Sequence, residues 1–420
     1  MGQKQNIVIL GGGFVGLVLA RRLVKAGVVG KSCEVTIIDK NSAHVYTPWL
    51  YEVSSGYLSR DDGRRDLCKL YTSASVPYAG MPGYNHVRFR QEKVTGVDFQ
   101  SKTVFLSDGL TVRYDSLVIA FGTEANYFGI PGLPENCAPL KTAADAIEVE
   151  RRVRAIVAVA NLTNRQHISV IGGGATGVEF TGELMMALHQ LEKRGELMKD
   201  SVSVSLIDRK YPLGSFPEPL SRLATKRLEK LGAKVMSNLA VMSANAQTLT
   251  LKDESGNTIL QPCDLAVWSG GVMPATIVKT LALPMDPKGR ILVDPTFAVQ
   301  GVKDVYAAGD CSALLNPRTN SFEPMSAQVS VNQGMWLAKN FIRQLRGESV
   351  QPFPFWQRWD SLITVGGKYG VGYVKGFIIS GPFAFFARRI VDGRYFFWIL
   401  PVRYAFIKWF KGVVIYNKND

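Results

Sequence analysis

The sequence predicts an α/β protein made of two Rossmann-like units and a C-terminal region of different character. A strand–glycine turn–helix–strand pattern opens the chain, and the same order returns from residue 167. The end, residues 395–416 ("YFFWILPVRYAFIKWFKGVVIY"), is aromatic, apolar and basic and contains no acidic residue. A chain of 420 residues can bury the cores of two or more domains.

In the first unit, "NIVIL" predicts a buried strand, "GGGFVG" a turn, "LVLARRLVKAG" a helix and "CEVTIID" a second strand. The glycines of the turn are Gly11, Gly13 and Gly16. The first permits a tight turn, the second lets the backbone approach a pyrophosphate, and the third lets the helix pack on the strand. Asp39 ends the second strand, 23 residues after Gly16, where a carboxylate accepts hydrogen bonds from ribose hydroxyls. We expect a dinucleotide here.

The second unit repeats this order as "HISVI", "GGGATG", a helix and "SVSVSLID". Its glycines are Gly172, Gly174 and Gly177, and Asp208 follows 31 residues later, at the end of the second strand. A carboxylate there repels a 2′-phosphate and favours NADH over NADPH, although Arg209 weakens this preference. Two units predict two dinucleotides, most simply a permanently held flavin and an exchanging nicotinamide.

The remaining segments predict how the units are connected. "TVFLSDGLTVRYDSLVIAFG" is typical of a hairpin around Asp108–Gly109 followed by a buried strand. "DLAVWSGGV", "DVYAAGDCSAL" and a helix over "AQVSVNQGMWLAKNFIRQL" follow the second unit, and two prolines in "QPFPFW" end regular structure. We therefore expect the second unit to be inserted in the first. The predicted domains are 1–140 and 276–352 (first unit), 141–275 (second unit) and 353–420 (C-terminal region).

The charge and composition of the C-terminal region favour binding to lipid. The net charge is +14, and residues 351–420 hold ten Lys/Arg residues against three Asp residues. A basic surface can bind nucleic acid or anionic lipid, and the aromatic density here favours lipid and no nucleic acid. No run of about 18 apolar residues predicts an ordinary transmembrane helix.

The cysteines and histidines predict neither a disulfide framework nor a metal site. The five cysteines form no CxxC pair, which is typical of a reducing compartment. The four histidines have no metal-ligand spacing. The cysteines are Cys33, Cys68, Cys137, Cys263 and Cys311.

Two further segments carry a family resemblance. "AFGTEAN" (120–126) and "VYAAGDCS" (305–312) resemble motifs of the flavoproteins with two dinucleotide-binding domains, whose fold is that of glutathione reductase. The resemblance implies that Asp310 binds the ribityl chain of FAD. The alternative is a purely structural role as a helix N-cap. It also assigns cofactor binding to Ala120, Gly122, Thr123 and Gly309.

Within these flavoproteins the chain resembles the type II NADH dehydrogenases, which transfer electrons from NADH through FAD to a membrane quinone and pump no protons. The resemblance extends over nearly the whole chain. It is carried by "YTPWLYEVSSG", "GIPGLPENCAPLKTAADA", "GGGATGVEFTGEL", "WSGGV" and "EPMSAQVSVNQG".

The same resemblance implies individual roles. Glu179, near the nicotinamide, and Gln328, near the quinone, are the implied catalytic residues, and both also contact cofactor. The alternative for Gln328 is a structural role, as a polar residue on a half-buried helix. The family pattern AQxAxQ is altered here, with Ser330 and Asn332 in place of Ala and Gln. The other implied cofactor-binding residues are Lys40, Thr47, Pro48, Leu50, Val94, Gly270, Gly271 and Ala327.

The C-terminal stretch predicts an interfacial anchor. "VRYAFIKWFKG" predicts a helix with Arg403, Lys408 and Lys411 on one arc. We expect a peripheral protein of the cytoplasmic membrane face, a homodimer, and a soluble, still active protein after removal of residues beyond Pro352. A dimer interface or a core helix is the alternative for this stretch. The aromatic residues expected at the interface are Tyr395, Trp398, Tyr404, Trp409 and Tyr416.

Two other functions stay open. A sulfide:quinone reductase or another pyridine-nucleotide–disulfide oxidoreductase requires paired thiols, for which Cys137 and Cys311 are the candidates. A membrane module that senses NADH without turnover would bind no flavin.

Overall fold

The computed structural model describes residues 4–55 and 74–416, with side chains in the last helix as far as Lys411. Cys68 and the side chain of Tyr416 lie outside the described residues. The helices are α1 Phe14–Lys25, α2 Leu50–Ser55, α3 Leu133–Asn136, α4 Ala143–Val159, α5 Ala175–Lys193, α6 Glu218–Lys230, α7 Thr276–Thr280, α8 Ala327–Leu345, α9 Pro382–Ile399 and α10 Val402–Tyr416, with a 3₁₀ turn at Thr47–Trp49.

The strands are, in chain order, β1 Gln5–Leu10, β2 Cys33–Asp39, β3 Ala43–Val45, β4 Ser75–Pro77, β5 Val87–Gln91, β6 Val94–Asp98, β7 Thr103–Leu106, β8 Thr111–Arg113, β9 Ser116–Ile119, β10 Thr123–Ala125, β11 Cys137–Pro139, β12 Gln166–Ile171, β13 Val202–Ile207, β14 Lys234–Met236, β15 Leu239–Ala244, β16 Thr248–Asp253, β17 Thr258–Pro262, β18 Leu265–Trp268, β19 Val272–Pro274, β20 Ile291–Val293, β21 Val305–Ala307, β22 Ser312–Asn316, β23 Ser321–Phe322, β24 Ser361–Thr364, β25 Gly370–Val374 and β26 Phe377–Gly381.

The first unit is a five-stranded parallel sheet in the order β21–β9–β1–β2–β5. Its central strand β1 is apolar because both faces are covered, and Ile7 to Leu10 are fully buried. Strand β21 comes from far along the chain, so two separate parts of the sequence build this sheet.

The second unit repeats the first, as predicted. Its parallel strands follow the order β11–β18–β12–β13–β14. Helix α5 has 19 residues where α1 has 12, which explains the long spacing between Gly177 and Asp208. Strand β11 lies in this sheet, although the predicted boundary at residue 140 assigned it to the first unit.

Antiparallel strands connect and flank the two sheets. The predicted hairpin is confirmed, since β7 pairs with β8 across the turn at Asp108–Gly109. Strands β6–β8 and β15–β17 form one three-stranded sheet beside each unit. The pair β10–β19 joins the segments that run between the units.

The C-terminal region contains a sheet as well as the predicted helices. Strands β24–β26 form an antiparallel sheet that precedes α9 and α10. Its β24–β25 turn packs on the second unit, because a Cβ on Gly182 of α5 would come closer than 3.0 Å to the backbone of Gly366. Arg227 of α6 donates to the carbonyl oxygens of Val365 and Gly366 at 3.3 and 3.1 Å.

Helix α9 belongs to the main hydrophobic core. Tyr395, Phe396 and Ile399 are buried in the same cluster as β1. Removal of the chain beyond Pro352 would open this core, so we now expect the shortened protein to lose stability, contrary to the expectation from the sequence. Within the described ranges, no helix has the length and apolar character needed to cross a membrane.

Candidate functional site

The first glycine turn has one open position between two crowded ones. A Cβ on Gly11 would come closer than 3.0 Å to the carbonyl oxygen of Ala120, and one on Gly16 would do the same to that of Gly11. Gly11 also has a φ of 110°, which L side chains rarely adopt. A Cβ on Gly13 would meet nothing within 4 Å. The turn thus needs Gly11 and Gly16 for packing and leaves open space at Gly13.

This open space faces an uncapped helix end. Helix α1 starts after Gly13 without a side-chain cap and without an acidic residue in its first turn. Its unpaired N–H groups and positive dipole end fit a pyrophosphate. Asp39 Oδ2 accepts a hydrogen bond from the Gly12 N–H at 2.7 Å, which fixes the carboxylate beside the turn. The residues present therefore fit a dinucleotide.

Asp310 joins three segments of the first unit. Its carboxylate accepts a hydrogen bond from Ser330 Oγ of α8 at 3.2 Å and lies 3.5 Å from Thr123 Oγ1. Asp310 is followed by strand β22 and not by a helix. Its alternative role as a helix N-cap is therefore excluded. Ser326 is the cap of α8, where its hydroxyl accepts from the Val329 N–H at 3.3 Å.

The other residues predicted for the first site lie near the carboxyl ends of the parallel strands. Ala120 and Gly122 follow β9, Lys40 is exposed after β2, and Val94 comes three residues after β5. Gly309 follows β21, and its N–H donates to Gln333 Oε1 at 2.6 Å.

Ala327 and Gln328 are the first two residues of α8. Both are half-buried, and the Gln328 carbonyl oxygen accepts from Asn332 Nδ2 at 2.9 Å. The substitution of Asn at this position is thus satisfied within the helix.

The second glycine turn has the same arrangement of crowded and open positions. A Cβ on Gly172 or Gly177 would collide with backbone, whereas one on Gly174 would meet nothing within 4 Å. Helix α5 also starts uncapped and without an acidic residue in its first turn. Asp208 Oδ2 accepts from the Gly173 N–H at 2.6 Å, as Asp39 does in the first unit. A Cβ on Gly270 would lie 2.7 Å from the Trp268 ring, so its lack of a side chain is a packing requirement too.

A buried network of charged groups connects the two units to the C-terminal region. Arg389 Nη1 of α9 lies 2.6 Å from Glu52 Oε1 of α2, and Arg388 Nε lies 3.2 Å from Asp392 Oδ1. Arg388 Nη2 also lies 3.9 Å from Glu179 Oε1 of α5. All three carboxylates are buried. These contacts bring the predicted Glu179 to α9.

Aromatic side chains anchor the segment that contains Thr47, Pro48 and Leu50 to the same network. Asp392 accepts hydrogen bonds from Tyr46 Oη at 2.8 Å and from Trp49 Nε1 at 3.1 Å. Thr47 and Pro48 lie in the 3₁₀ turn between these two aromatic residues, and both are half-buried. Helix α9 therefore determines the position of this predicted flavin segment.

Burial makes this network sensitive to protonation. It raises the pKa of Glu179 from 4.5 to about 7, against the opposing effect of Arg388. It also raises the pKa of Glu52, against the effect of Arg389. Three carboxyl groups face two guanidinium groups, so Glu179 is the place where a proton is held near neutral pH.

Sequence reasoning missed this network. It counted Arg388 and Arg389 among the cations of a lipid-binding tail, but both are held in ion pairs inside the protein. The i,i+4 spacing of Arg388 and Asp392 was the available signal, because it predicts an ion pair on a helix. No local sequence pattern indicated that Glu52 pairs with Arg389.

The exposed part of the C-terminal region is apolar. On α9 it consists of Phe383, Phe386 and Ile390, which are 70%, 56% and 67% exposed. Helix α10 continues it with further exposed side chains. We call these residues the C-terminal apolar surface; those of α10 are Val402, Phe406, Ile407 and Phe410. The exposed cations of α9 and α10 are Arg394, Arg403 and Lys411.

Three residues predicted for the interface lie elsewhere. Tyr395 is buried, and its hydroxyl is 2.7 Å from His44 Nε2. Trp409 is half-buried and donates to the Arg389 carbonyl oxygen at 2.8 Å. Lys408 donates to the Ser75 carbonyl oxygen, and burial lowers its pKa to about 8. Tyr395 and Lys408 thus face the first unit, and Trp409 lies in the contact between α9 and α10. Trp398 is half-buried, and Tyr404 is exposed as expected.

The candidate thiol pair is not brought together. Cys311 lies in the main core and Cys137 in a separate hydrophobic cluster of the second unit. Burial raises the pKa of the Cys311 thiol to about 11 and that of the Cys137 thiol further. Both are therefore protonated and unreactive at neutral pH.

Comparison with known proteins identifies the family. A family model described as pyridine nucleotide-disulphide oxidoreductase matches residues 5–334. The chain belongs to this family. Within the pyridine nucleotide-disulphide oxidoreductases, a protein of Staphylococcus aureus named type II NADH:quinone oxidoreductase is 28% identical over 411 residues, which are 96% of this chain and 98% of the relative.

Solved structures of other proteins have a similar fold. The Plasmodium falciparum protein NDH2, solved in complex with NADH, superimposes with a TM-score of 0.83 at 18% identity, over 98% of both chains. The sulfide:quinone oxidoreductase of Aquifex aeolicus has a TM-score of 0.76 at 20% identity, over 94% of this chain and 91% of that one. The predicted fold class is thereby confirmed: two dinucleotide-binding units and a C-terminal region.

Proposed function

We propose that the chain is a FAD-dependent oxidoreductase that transfers electrons from NADH to a membrane quinone without pumping protons. One observation carries this proposal: the ion-pair network joins the predicted flavin segment, Glu179 of the second unit and a helix with an exposed apolar face. An enzyme that moves electrons from a water-soluble to a lipid-soluble substrate needs these three parts in contact. The name of the S. aureus relative supports the same reaction.

In this proposal the first unit holds FAD and the second holds NADH. When bound, FAD accepts a hydride from NADH and passes two electrons to the quinone. The turn at Gly13 and helix α1 bind the pyrophosphate of FAD, Asp39 its adenosine ribose, and Asp310 its ribityl chain. The remaining residues that we assign to FAD are Gly11, Gly16, Lys40, Thr47, Leu50, Val94, Ala120, Gly122, Thr123, Gly309, Ala327 and Gln328.

The second unit binds NADH through its own turn. Gly172, Gly174 and Gly177 accommodate the pyrophosphate, and Gly270 and Gly271 let the backbone approach the ligand. Asp208, already fixed by the Gly173 N–H, disfavours a 2′-phosphate and selects NADH. Glu179 holds a proton close to the nicotinamide, and Gln328 orients the quinone.

We further propose that the protein is peripheral and lies on the cytoplasmic face of the membrane. The C-terminal apolar surface would enter the lipid, with Arg394, Arg403 and Lys411 near the phosphates. A homodimer and the division into units at 1–136, 137–275, 276–352 and 353–420 complete the proposal, with the second unit starting at β11.

A spectrum tests the reaction. The purified protein should show flavin absorbance that NADH bleaches without oxygen and that a soluble quinone restores. A colourless protein that cannot take up FAD would contradict the proposal and favour an NADH-sensing module. Bleaching by sulfide but not by NADH would favour a sulfide:quinone reductase.

A further inference from the structure

Phe128 combines two unfavourable features that folding alone does not explain. Its side chain is 63% exposed, and its backbone has a φ of 54°, in the left-handed region. A residue with a Cβ rarely adopts this conformation, because the Cβ comes too close to the backbone. Its N–H donates to Asn126 Oδ1 at 2.9 Å, so the turn is held in place locally. An exposed aromatic ring in a strained conformation points to a ligand-binding role.

The ring is fixed against the loop that follows β18. A Cβ on Gly271 would lie 2.6 Å from the Phe128 ring, and the centroids of Phe128 and Trp268 are 6.3 Å apart in an edge-on arrangement. The Asn126 N–H donates to the Gly271 carbonyl oxygen at 3.0 Å. Phe128 therefore covers Gly271, and the Trp268 ring lies against the neighbouring Gly270.

The covered loop lies beside the second glycine turn. Ser269 Oγ donates to the Gly172 carbonyl oxygen at 2.8 Å, and Gly270 packs directly on Gly172. Strand β18 lies on one side of β12, and β13, which directly precedes Asp208, lies on the other. If the adenosine ribose is at Asp208 and the pyrophosphate at the turn, the other half of the dinucleotide passes over Gly270 and Gly271.

We propose that Phe128 is an additional NADH-binding residue whose ring covers the nicotinamide mononucleotide half of the ligand. This inference rests on the proposed function. The ring excludes water from one side of that half and supplies an apolar contact to the ligand.

The test uses the FAD-loaded protein with Phe128→Asn, because Asn tolerates the left-handed conformation and only the ring is lost. Phe128→Gly is a second variant that accepts the same φ, and Phe128→Tyr retains the ring. Leu260→Asn is the matched control, since Leu260 is 68% exposed on β17. Binding of NAD⁺ to the oxidised protein is measured by calorimetry, and reduction by NADH by anaerobic rapid mixing.

We expect Phe128→Asn and Phe128→Gly to weaken NAD⁺ and NADH binding by roughly fivefold or more, the loss typical of one stacked base. Phe128→Tyr and Leu260→Asn should bind as the wild type does, and reoxidation by a soluble quinone should not change. Reduced nicotinamide mononucleotide should lose the same factor as NADH, whereas ADP should lose nothing.

Unchanged NAD⁺ binding in both ring-deleting variants would overturn the inference, and so would an equal loss for ADP, which would place the ring at the adenosine half. A wild-type protein that NADH does not reduce would instead contradict the proposed function.

Discussion

At the scale of single residues, the glycines of each turn have separable tasks. Gly174 lies in open space with an extended backbone (φ −67°, ψ −178°), and a Cβ on Gly177 would collide with the Gly172 carbonyl. The first of these glycines serves the ligand and the second serves the fold. This difference can be tested because both positions lie in one turn.

We expect Gly174→Ala to fold normally and to retain flavin, but to bind NADH at least tenfold more weakly, because the methyl group occupies the space left for the pyrophosphate. Gly177→Ala should lower the free energy of unfolding by about 1–3 kcal/mol or more. Thermal unfolding and NADH titration separate the two effects. Equal loss of stability in both variants would refute the assignment.

Glu179 should make stability depend on pH. Its pKa is about 7 in the folded protein and 4.5 ordinarily. Between these values the folded protein retains a proton that the unfolded chain has released, so the contribution to stability falls as the pH rises. The wild type should therefore lose more stability between pH 5 and pH 7.5 than Glu179→Gln, measured as the unfolding midpoint. Parallel pH curves would show that the residue does not titrate there.

Asp392 is the acceptor on which the ion-pair network depends. Asp392→Asn would leave Arg388 short of one buried countercharge, so we expect the free energy of unfolding to fall by about 3–5 kcal/mol and bound flavin to be lost more readily. Asp360→Asn is the control, because Asp360 is exposed and accepts only the Lys375 N–H among the contacts described, at 2.9 Å. A stable Asp392→Asn protein with tightly held flavin would argue against this account.

At the scale of elements, α9 has two opposite faces with different tasks. Arg388, Arg389 and Asp392 point into the protein, and Phe383, Phe386 and Ile390 point out of it. The helix can therefore position the flavin segment and contact lipid at the same time. Changes on its outer face should affect membrane binding alone.

The double variant Phe383→Gln/Phe386→Gln should bind anionic vesicles at least tenfold more weakly, since two exposed apolar side chains are removed from the lipid-facing surface. Reduction of a water-soluble acceptor by NADH should stay the same. Leu110→Gln is the control, because Leu110 is 58% exposed on the first unit. Sedimentation with vesicles measures binding, and undiminished binding of the double variant would exclude this surface as the anchor.

At the scale of the whole molecule, the C-terminal region is a structural part of both units. The β24–β25 turn packs on α5 and α6, and Tyr395 and Phe396 lie in the core of the first unit. A chain that ends at residue 352 should consequently be insoluble or unable to hold flavin. Its expression and absorbance spectrum check this, and a soluble yellow product would contradict the packing.

The two turns and their acidic partners were predictable because their parts lie close together in the chain. A strand, three glycines, a helix and a carboxylate within about 40 residues follow from hydrophobic period and spacing. The repeated unit, the hairpin and the distinct composition of the C-terminus were readable for the same reason.

The ion-pair network and the orientation of the C-terminal helices depended on distant partners. Arg389 and Glu52 are separated by 337 positions, and Tyr46 and Asp392 by 346. The local i,i+4 spacing indicates the pair of Arg388 and Asp392, but no local pattern shows that this pair is buried in the protein and does not face lipid. The tertiary structure shows that Arg388 and Arg389 are paired with acidic residues inside the protein. Part of the predicted surface tail therefore belongs to the candidate active site.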